Sequence, residues 1–373
     1  MGYSKCAIVI PLYKERLNKI EFFSVKRTWN VLKNRPIYFI APDGLNLDWY
    51  KRTFPEILEK RYPEKYFLNI KGYNSLMLSK AFYETWLDYE YILICQTDVY
   101  VFCDMLEEFC YMPYAYVGAP MVRVQENDIN YWGCNGGFSL RNVTKFLRIL
   151  DAYGEEAAIW NDSEDYFFSL MGERNPNVFL CAPFDISVKF AFDRYQRLLF
   201  EKNDRLLPFA LHGWHTIDRE FSLKLIGLTG VNVKEFEECN NVRDEEEKRF
   251  LKYVSEKKVL MIYGAGLWGK LIAMYLKNKG IYIDRFIISD DQFLRENIVL
   301  GYPVSFFSNI FPVSEDVGLI FGINQRFLDR KVYCDIKLKI QNKGCSDMFE
   351  FNGILINTII EELLIDFDKR GRK

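Results

Sequence analysis

The stretch Tyr91-Ile-Leu-Ile-Cys-Gln-Thr-Asp98 determines the fold class that we predict for this chain. Its first five residues form a continuous apolar run, which is typical of a strand buried on both faces of a parallel sheet. Its last three residues are polar and follow the expected end of that strand. Ligands of parallel α/β sheets lie outside the carboxyl ends of the strands, so Gln96, Thr97 and Asp98 are candidates for a binding cleft.

The residues before this stretch alternate between strand and helix patterns. Apolar runs predict strands over 6–10 and 36–40, and helical patterns cover roughly 19–32 and 76–89. This alternation predicts an α/β layer with a mostly parallel sheet. Pro11-Leu-Tyr-Lys14 and Asp43 also follow predicted strand ends, so we expect them to meet Asp98 in one cleft.

Length and composition exclude several classes of protein. At about 150 residues per domain, 373 residues predict two domains or three. The net charge of −2 provides no basic field, which argues against a nucleic-acid partner. The nine cysteines are odd in number and form no Cys-x-x-Cys pair, which is typical of a reduced protein without a zinc cage.

The cellular location is predicted from what the sequence does not contain. It shows no signal peptide, and no apolar run approaches the ~18 residues of a membrane span. We therefore expect a cytoplasmic protein with at most peripheral membrane contact. The sequence leaves its oligomeric state open, and a homo-oligomer is allowed.

A change of composition predicts the domain boundary. Residues 236–257 are rich in acidic side chains, including Glu237, Glu238 and Asp244-Glu-Glu-Glu247, which predicts a solvated helix or linker. We therefore place one domain over residues 1–235 and a smaller one over 258–373.

The second domain opens with a glycine fingerprint. A predicted strand over 259–263 leads to Gly264-Ala-Gly266-Leu-Trp-Gly269, a helix over 270–279, a strand over 281–288 and then Asp290. This G-x-G-x-x-G pattern, with an acid about 20 residues on, is typical of dinucleotide sites, so NAD(P) is a candidate ligand. The alternative is that the glycines serve helix–strand packing, and the absence of histidine after them disfavours a free-standing dehydrogenase. A strand over 317–321 and a helix over 326–341 complete this domain.

Two histidines are the only ones in the chain, His212 and His215, in the segment Pro208-Phe-Ala-Leu-His-Gly-Trp-His. Neutral imidazole and carboxylate are ligands of divalent ions that also contact phosphate, so Asp98 and a histidine predict a metal site. The structural alternatives are that Asp98 caps a turn and that the histidines only pack.

Two further segments contain residues that could bind a substrate or take part in catalysis. In Tyr131-Trp-Gly-Cys-Asn-Gly-Gly-Phe-Ser-Leu140 the glycines permit close backbone approach to a ligand and Asn135 can bond hydroxyl groups; the alternative is a glycine-rich hairpin. In Asn161-Asp-Ser-Glu-Asp165, Ser163 can cap a helix whose first turn holds Glu164 and Asp165. A carboxylate there can also act as a general base toward an acceptor hydroxyl.

Taken together, the first ~230 residues resemble GT-A glycosyltransferases, and most closely the DUF5672 family. The resemblance rests on motifs that occur in the expected order: Val9-Ile-Pro-Leu-Tyr-Lys14, Ile92-Leu-Ile-Cys-Gln-Thr-Asp-Val-Tyr-Val-Phe102, Tyr116-Val-Gly-Ala-Pro120, Gly133-Cys-Asn-Gly-Gly-Phe-Ser-Leu-Arg141, Ser163-Glu-Asp165 and Pro208-Phe-Ala-Leu-His212. It implies a GT-A domain followed by a smaller Rossmann-like α/β domain, which looks like those appended to some capsule and lipopolysaccharide enzymes.

The resemblance also implies roles for individual residues. Gln96-Thr97-Asp98 looks like the Asp-x-Asp motif with glutamine in place of the first acid, so one metal or ribose contact of that motif is altered. Asp98 and His212 would hold Mn²⁺ or Mg²⁺, and Asp165, beside Glu164, would be the base of an inverting enzyme. The remaining donor-binding candidates are Pro11, Tyr13, Lys14, Asp43, Gln96, Thr97, Asn135, Gly136 and Gly137.

The predicted function is transfer of a sugar from a nucleotide sugar, expected to be a UDP-sugar, to a glycan or lipid-linked acceptor in surface polysaccharide synthesis. Two alternatives remain. One is an NAD-linked oxidoreductase or epimerase centred on Gly264, Gly266, Gly269 and Asp290. The other is a non-catalytic glycan-binding protein, which the altered Asp-x-Asp motif keeps open.

Overall fold

The computed structural model describes residues 5–125, 128–216, 218–236, 242–292, 297–310, 316–323, 330–345 and 347–371. The chain divides into two compact units, which are Met1–Arg123 with Asn130–Cys239, and Val124–Ile129 with Asn240–Lys373. Each is α/β, so the predicted fold class is confirmed: a domain with a sheet rich in parallel strands is followed by a second region with its own sheet.

The first unit contains most of the regular structure. Its strands are β1 (Cys6–Pro11), β2 (Ile37–Pro42), β3 (Leu58–Tyr62), β4 (Tyr91–Cys95), β5 (Tyr100–Val101), β6 (Tyr116–Gln125), β7 (Asp128–Asn142), β8 (Ala191–Phe192) and β9 (Ala210–Leu211). Its helices are α1 (Lys19–Leu32), α2 (Asp48–Thr53), α3 (Ile70–Met77), α4 (Lys80–Glu84), α5 (Leu106–Cys110), α6 (Val143–Ala158), α7 (Glu164–Arg174), α8 (Phe184–Phe190), α9 (Gln196–Lys202) and α10 (Arg219–Gly227), with 3₁₀ turns at Glu64–Tyr66 and Lys234–Phe236.

The large sheet of this unit has the strand order β3-β2-β1-β4-β7-β6. Strands β3, β2, β1 and β4 are parallel neighbours, whereas β7 runs antiparallel to β4. Strands β1 and β4 are buried along their whole length, as their unbroken apolar sequences predict. The carboxyl ends of β1, β2 and β4 therefore lie at one edge, where β4 is continued by Gln96, Thr97 and Asp98.

A second sheet of three short strands has the order β5-β9-β8. Strand β9 pairs antiparallel with β5 and parallel with β8. These two-residue strands carry too little sequence pattern to be predicted, because a strand is normally recognised from four or more alternating or apolar residues. They nevertheless decide which polar residues meet, as described below.

Helix prediction succeeded where the chain carries its own end signals. Helix α1 has the predicted bounds because Asn18 and Glu21 form a capping box, in which each side chain bonds the other's backbone N–H at 2.9 Å. The single helix predicted over 76–89 is wrong. The structure has two shorter helices, α3 and α4, with Leu78 and Ser79 between them, and α4 ends at Glu84.

The second unit contains a sheet of order β12-β13-β11-β10-β14-β15. Strands β13, β11, β10, β14 and β15 are parallel, which is the 3-2-1-4-5 order of doubly wound sheets. The strands are β10 (Val259–Tyr263), β11 (Arg285–Ile288), β12 (Ile298–Val299), β13 (Tyr302–Phe306), β14 (Val317–Phe321) and β15 (Met348–Glu350). The helices are α11 (Val242–Ser255), α12 (Leu267–Asn278), α13 (Arg330–Asn342) and α14 (Gly353–Gly371), with a 3₁₀ turn at Phe307–Asn309.

One strand and one helix of this unit differ in their bounds from the prediction. The strand predicted over 281–288 begins only at Arg285, because Gly280 adopts a left-handed φ of 76° and the N–H of Ile281 bonds the carbonyl of Leu276, which ends the preceding helix. The helix predicted over 326–341 is confirmed from Arg330 onward, and residues 326–329 lie outside the described residues.

The segment predicted over 236–257 as a solvated helix or linker contains helix α11. Helix α11 occupies most of it and packs within the second unit, where Phe250 is fully buried against Phe349 and Phe351. Its acidic face is not simply solvated, since Glu247 accepts a hydrogen bond of 2.8 Å from Tyr275. Glu237 and Glu238 lie outside the described residues. Of the helices that the structure describes, none is long and apolar enough to cross a membrane.

Candidate functional site

Strand β4 delivers the first polar residues of the site. The backbone N–H of Gln96 donates a 2.9 Å hydrogen bond to the carbonyl of Gly137, which extends the pairing of β4 with β7 by one residue. The chain then turns, and the N–H of Val99 bonds the carbonyl of Gln96. This turn buries Thr97, leaves the Asp98 side chain 27% exposed and leads directly into β5.

The three-stranded sheet brings His212 between two aspartates. The pairing of β9 with β5 matches Leu211 with Tyr100, and its pairing with β8 matches Leu211 with Phe192. His212 follows β9, and Asp193 follows the parallel strand β8, so both leave the sheet at the same end. Asp98 precedes β5, which runs the other way, and therefore reaches that end too.

The contacts of His212 follow from this register. Its Nε2 lies 3.4 Å from Oδ1 of Asp98 and 3.2 Å from Oε1 of Gln96, while its Nδ1 lies 3.3 Å from Oδ1 of Asp193. Burial lowers the pKa of His212, but the carboxylates of Asp98 and Asp193 outweigh that effect and hold the pKa well above its ordinary value of 6.5. Burial likewise raises the pKa of Asp98, and the nearby histidines reverse this to a net lowering.

These side chains fit a divalent cation that also binds substrate oxygens. Asp98 Oδ1 and Gln96 Oε1 flank His212 Nε2, which gives one carboxylate, one amide and one imidazole donor within a small volume. Within the described part of the chain, however, no three His, Cys, Asp or Glu residues form a complete metal cluster. A cation held here would need oxygen ligands from another molecule to complete its coordination.

His215 takes a different position from His212. Its ring packs edge-on against Trp214, and burial lowers its pKa. The indole N–H of Trp214 in turn donates a 2.8 Å hydrogen bond to Ser24 on α1. This packing fits the structural alternative for His215.

The Asn135-Gly136-Gly137 segment of β7 contacts both halves of the site. Asn135 Oδ1 accepts a hydrogen bond of 2.9 Å from the N–H of Gly137, which fixes the local backbone. A Cβ on Gly137 would overlap the His212 imidazole, and one on Gly136 would overlap the carboxylate of Glu164. Both glycines therefore allow protein side chains to approach the backbone closely, whereas the sequence predicts close approach of a ligand, which stays a prediction.

Asp165 lies on the other side of this segment, in the first turn of α7. Its Oδ2 accepts hydrogen bonds from the N–H of Gly136 at 3.2 Å and from the side-chain amide of Asn135 at 3.4 Å. Its Oδ1 accepts one of 2.8 Å from the N–H of Tyr166. A carboxylate offers about four acceptor positions, so this half-buried side chain retains capacity for a further donor.

Glu164 faces the interior instead of the cleft. Its Oε1 lies 2.9 Å from a guanidinium nitrogen of Arg141, and both side chains are buried. Arg141 also donates to Tyr83, Ser139 and the carbonyl of Gly136. Burial raises the pKa of Glu164 although Arg141 opposes the effect. This pair lies directly beneath Gly136, where it supports the Asn135–Gly137 segment of β7.

The candidates from the first two strands lie at the same sheet edge. Pro11 is buried at the end of β1, whereas Tyr13 is 55% exposed and its hydroxyl donates to Glu21. Lys14 Nζ also pairs with Glu21, at 2.6 Å. Asp43, just after β2, is exposed. Tyr13 and Asp43 thus present accessible surface, while the ammonium of Lys14 already has a carboxylate partner.

Sequence reasoning missed three residues around the site. Asp193 follows the apolar run Phe190-Ala-Phe192, just as Asp98 follows β4, so a polar residue after an apolar run was visible in the sequence. Arg141 is the last residue of the Gly133–Arg141 motif, but nothing in that motif indicates that it is buried, because its burial depends on tertiary packing. The hydroxyl of Tyr73, on α3, is buried and forms no hydrogen bond with the described residues, and no local pattern reveals that.

Two glycines of the fingerprint in the second unit, Gly264 and Gly269, are closely packed, whereas a Cβ on Gly266 would meet no atom within 4 Å. Gly264 has a φ of 106°, and a Cβ on Gly269 would overlap the carbonyl oxygen of Gly264. Gly266 caps the start of α12. Asp290 Oδ1 accepts a 2.8 Å hydrogen bond from the N–H of Ser308, so that oxygen is engaged within the fold. These contacts fit the alternative in which the glycines serve helix–strand packing.

A family model agrees with the resemblance seen in the sequence. Residues 56–212 match the family described as "Protein of unknown function (DUF5672)". The match is less than half of the chain, but it spans the site residues from Gln96 to His212. It does not include Pro11, Tyr13, Lys14, Asp43 or any residue after His212.

Several solved structures are similar to this chain. The galactosyltransferase LgtC is 15% identical, with a TM-score of 0.39, over 62% of this chain and 98% of that one. The glycosyltransferase GlyE of Streptococcus pneumoniae TIGR4 is 12% identical, with a TM-score of 0.39, over 99% of both chains. A glycosyltransferase involved in glycosylation of the major capsid of PBCV-1 is 12% identical, with a TM-score of 0.34, over 60% of this chain and 100% of that one. No curated protein matches the chain in sequence. At these TM-scores, function must be inferred from the chain's own side chains.

Proposed function

We propose that the first unit transfers a sugar from a nucleotide-sugar donor to a hydroxyl group of an acceptor. The proposal rests on the residues that meet at the Asn135–Gly137 segment of β7. Asp98, His212 and Gln96 lie on one side of this segment, and Asp165 lies on the other. Cation ligands and a candidate base meet here at the carboxyl edge of a parallel-rich sheet, where α/β folds bind nucleotides.

The donor's diphosphate is assigned to the side of Asp98 and His212. These residues would hold Mn²⁺ or Mg²⁺, with Gln96 as a neutral contact, and the bound ion would stabilise charge on the departing diphosphate. We propose a UDP-sugar as donor, with Tyr13 and Asp43 beside the nucleoside because both are accessible at the ends of neighbouring strands. Gly136 and Gly137 lie between the two halves of the site, where the sugar would bind.

The acceptor is assigned to the side of Asp165. In the reaction, the acceptor oxygen forms a bond to the anomeric carbon, its proton passes to the Asp165 carboxylate, and the bond to the phosphate oxygen breaks to release the nucleoside diphosphate. Direct displacement of this kind inverts the anomeric centre. A glycan or lipid-linked sugar of a surface polysaccharide is the acceptor class that we propose, with the reaction taking place in the cytoplasm.

The decisive experiment is incubation of the full chain with a panel of nucleotide sugars, with Mn²⁺, Mg²⁺ or EDTA, while free nucleotide is measured. We expect slow hydrolysis of one donor that EDTA abolishes and that Asp98→Asn reduces at least tenfold. Asp88→Asn is the matched control, because Asp88 is an exposed aspartate in the turn between α4 and β4.

Each outcome separates the alternatives. Donor hydrolysis that persists in EDTA would support the transferase proposal but exclude a role for the cation. Sugar binding without turnover of any donor, with acceptor glycans present, would instead identify a glycan-binding protein. Absence of both donor binding and turnover across the whole panel would contradict the proposal. Binding of NAD(H) by the full chain would instead support the oxidoreductase alternative.

A further inference from the structure

Asp193 is a carboxylate that the motifs of the chain do not assign, yet it lies directly behind His212. Its Oδ1 is 3.3 Å from Nδ1 of His212, on the opposite side of the ring from Asp98 and Gln96. The Asp193 side chain is 14% exposed and that of His212 is 13% exposed. The imidazole is therefore held between two acidic groups with little access for water.

Strand pairing fixes the position of Asp193. The N–H of His212 donates a 2.8 Å hydrogen bond to the carbonyl of Phe192, the residue just before Asp193. The backbone of β8 is thus bonded to that of β9 at the point where the two side chains leave the sheet. Arg194 lies 4.0 Å from the other carboxylate oxygen of Asp193 and opposes its charge.

The two ring nitrogens of His212 consequently have different surroundings. Nδ1 is buried from solvent and forms no hydrogen bond with the described residues, and the Asp193 carboxylate is the acidic group that lies beside it. The contact at 3.3 Å is not aligned as an ideal hydrogen bond, but it places the carboxylate within reach of a proton on Nδ1. A proton held there leaves the lone pair of Nε2 directed toward Asp98 and Gln96. Carboxylates commonly orient metal-binding histidines in this way.

We propose that Asp193 is a positioning residue that keeps the proton of neutral His212 on Nδ1, so that Nε2 can bind the divalent cation beside Asp98. The inference rests on the cation site of the proposed function. It adds a residue that contacts neither the cation nor the donor and acts only through His212.

The chain offers a direct readout, because His212 and His215 are its only histidines. In protein labelled with ¹⁵N-histidine, the nitrogen shifts report the tautomer of each ring at a pH where both are neutral, and His215→Gln assigns the signals. We expect His212 to carry its proton on Nδ1. Asp193→Ala should shift it substantially to Nε2, whereas Asp193→Asn, whose amide oxygen can still accept, should shift it less.

Cation binding is the second readout. Free Mn²⁺ is measured by electron paramagnetic resonance in the presence of saturating UDP, so no sugar transfer is required. We expect Asp193→Ala to weaken Mn²⁺ binding about 10- to 100-fold and Asp193→Asn less. Asp185→Asn is the matched control, because Asp185 is an exposed aspartate on α8 of the same unit.

The outcomes are distinct from those of the transfer assay. An unchanged tautomer in Asp193→Ala, or Mn²⁺ affinity within twofold of wild type, would overturn the role of Asp193. Absence of sugar transfer by a wild-type protein that binds Mn²⁺ and UDP would contradict the proposed function and leave that role intact. If Asp193→Ala does not fold, Asp193→Asn, with a side chain of the same size, carries both measurements.

Discussion

Gly137 and His212 are in direct steric contact, although 75 positions separate them in the sequence. A Cβ added to Gly137 would overlap Cε1 and Nε2 of the imidazole and come within 2.9 Å of Gln96 Oε1. The loop that is expected to face the donor sugar thus also determines where the imidazole can lie. Any side chain at Gly137 must displace His212, Gln96 or the loop itself.

Substitution of this glycine should disable the site without unfolding the protein. We expect Gly137→Ala to lower donor hydrolysis about 100-fold, because displacement of a catalytic group by about 1 Å costs a factor of that size. Mn²⁺ affinity in the presence of UDP should fall with it. Gly154→Ala is the control, since an added Cβ there meets no atom within 4 Å. Normal turnover by Gly137→Ala would show that the loop contact is dispensable.

The negative charge of Asp165 should matter more for sugar transfer than the hydrogen bonds that its side chain accepts. Asp165→Asn retains an oxygen that can accept from the N–H of Gly136, so the loop should keep its position. We expect transfer to fall about 10²- to 10⁴-fold, the usual contribution of a general base, with donor affinity within about threefold of wild type. The measurements are steady-state transfer and calorimetric titration of the donor. Full activity of this variant would exclude Asp165 as the base.

The buried pair of Arg141 and Glu164 should be essential for folding. Removing one partner leaves an unpaired buried charge, so Arg141→Met should destabilise the protein by about 3–5 kcal/mol in urea unfolding. The double variant Arg141→Met with Glu164→Gln should be less destabilised than the sum of the single changes. Additive effects would mean that the two side chains do not interact, against their 2.9 Å separation.

The metal-free protein should show a specific pH dependence through His212. Its folded pKa lies above the ordinary value of 6.5, so its ion pairs stabilise the fold fully below about pH 6.5 and lose that effect as pH rises through the raised pKa. The lowered pKa of Asp98 means that its contribution is present above 3.8 and is lost as pH falls through the lowered value. We therefore expect the stability difference between wild type and His212→Gln to be largest near pH 5–6 and to shrink toward pH 9. Thermal unfolding in EDTA measures this, and a difference that grows with pH would be inconsistent with the raised pKa.

Packing of the glycine fingerprint can be tested in the full chain. A Cβ on Gly269 would overlap the backbone oxygen of Gly264, which cannot rotate away. We expect Gly269→Ala to destabilise the protein by about 1–3 kcal/mol, the usual cost of overpacking, although alanine is the better helix former. Gly353→Ala, where an added Cβ meets no atom within 4 Å, should be neutral or stabilising. Equal stability of the two variants in thermal unfolding would argue against a packing role.

Local patterns in the sequence were sufficient for the central strands and the capped helix. The apolar runs of β1, β2 and β4 identified buried parallel strands, and a helical pattern over roughly 19–32 identified α1, because each of these signals involves neighbouring residues. Helices α3 and α4 were merged in the prediction, since the break at Leu78 and Ser79 carries no glycine or proline.

Local sequence was enough to predict that polar residues follow buried strands, that glycines in the Asn135–Gly137 segment allow close approach, and that His212 is one of two imidazoles in the chain. Which of these groups meet depends on the three-dimensional fold. Gln96 and His212 lie 116 positions apart, and two-residue strands too short to predict set the register that places Asp98 and Asp193 on opposite sides of the ring. Arg141 likewise has its partner 23 residues away. Such pairings depend on long-range packing and strand register, which local propensity and periodicity do not encode.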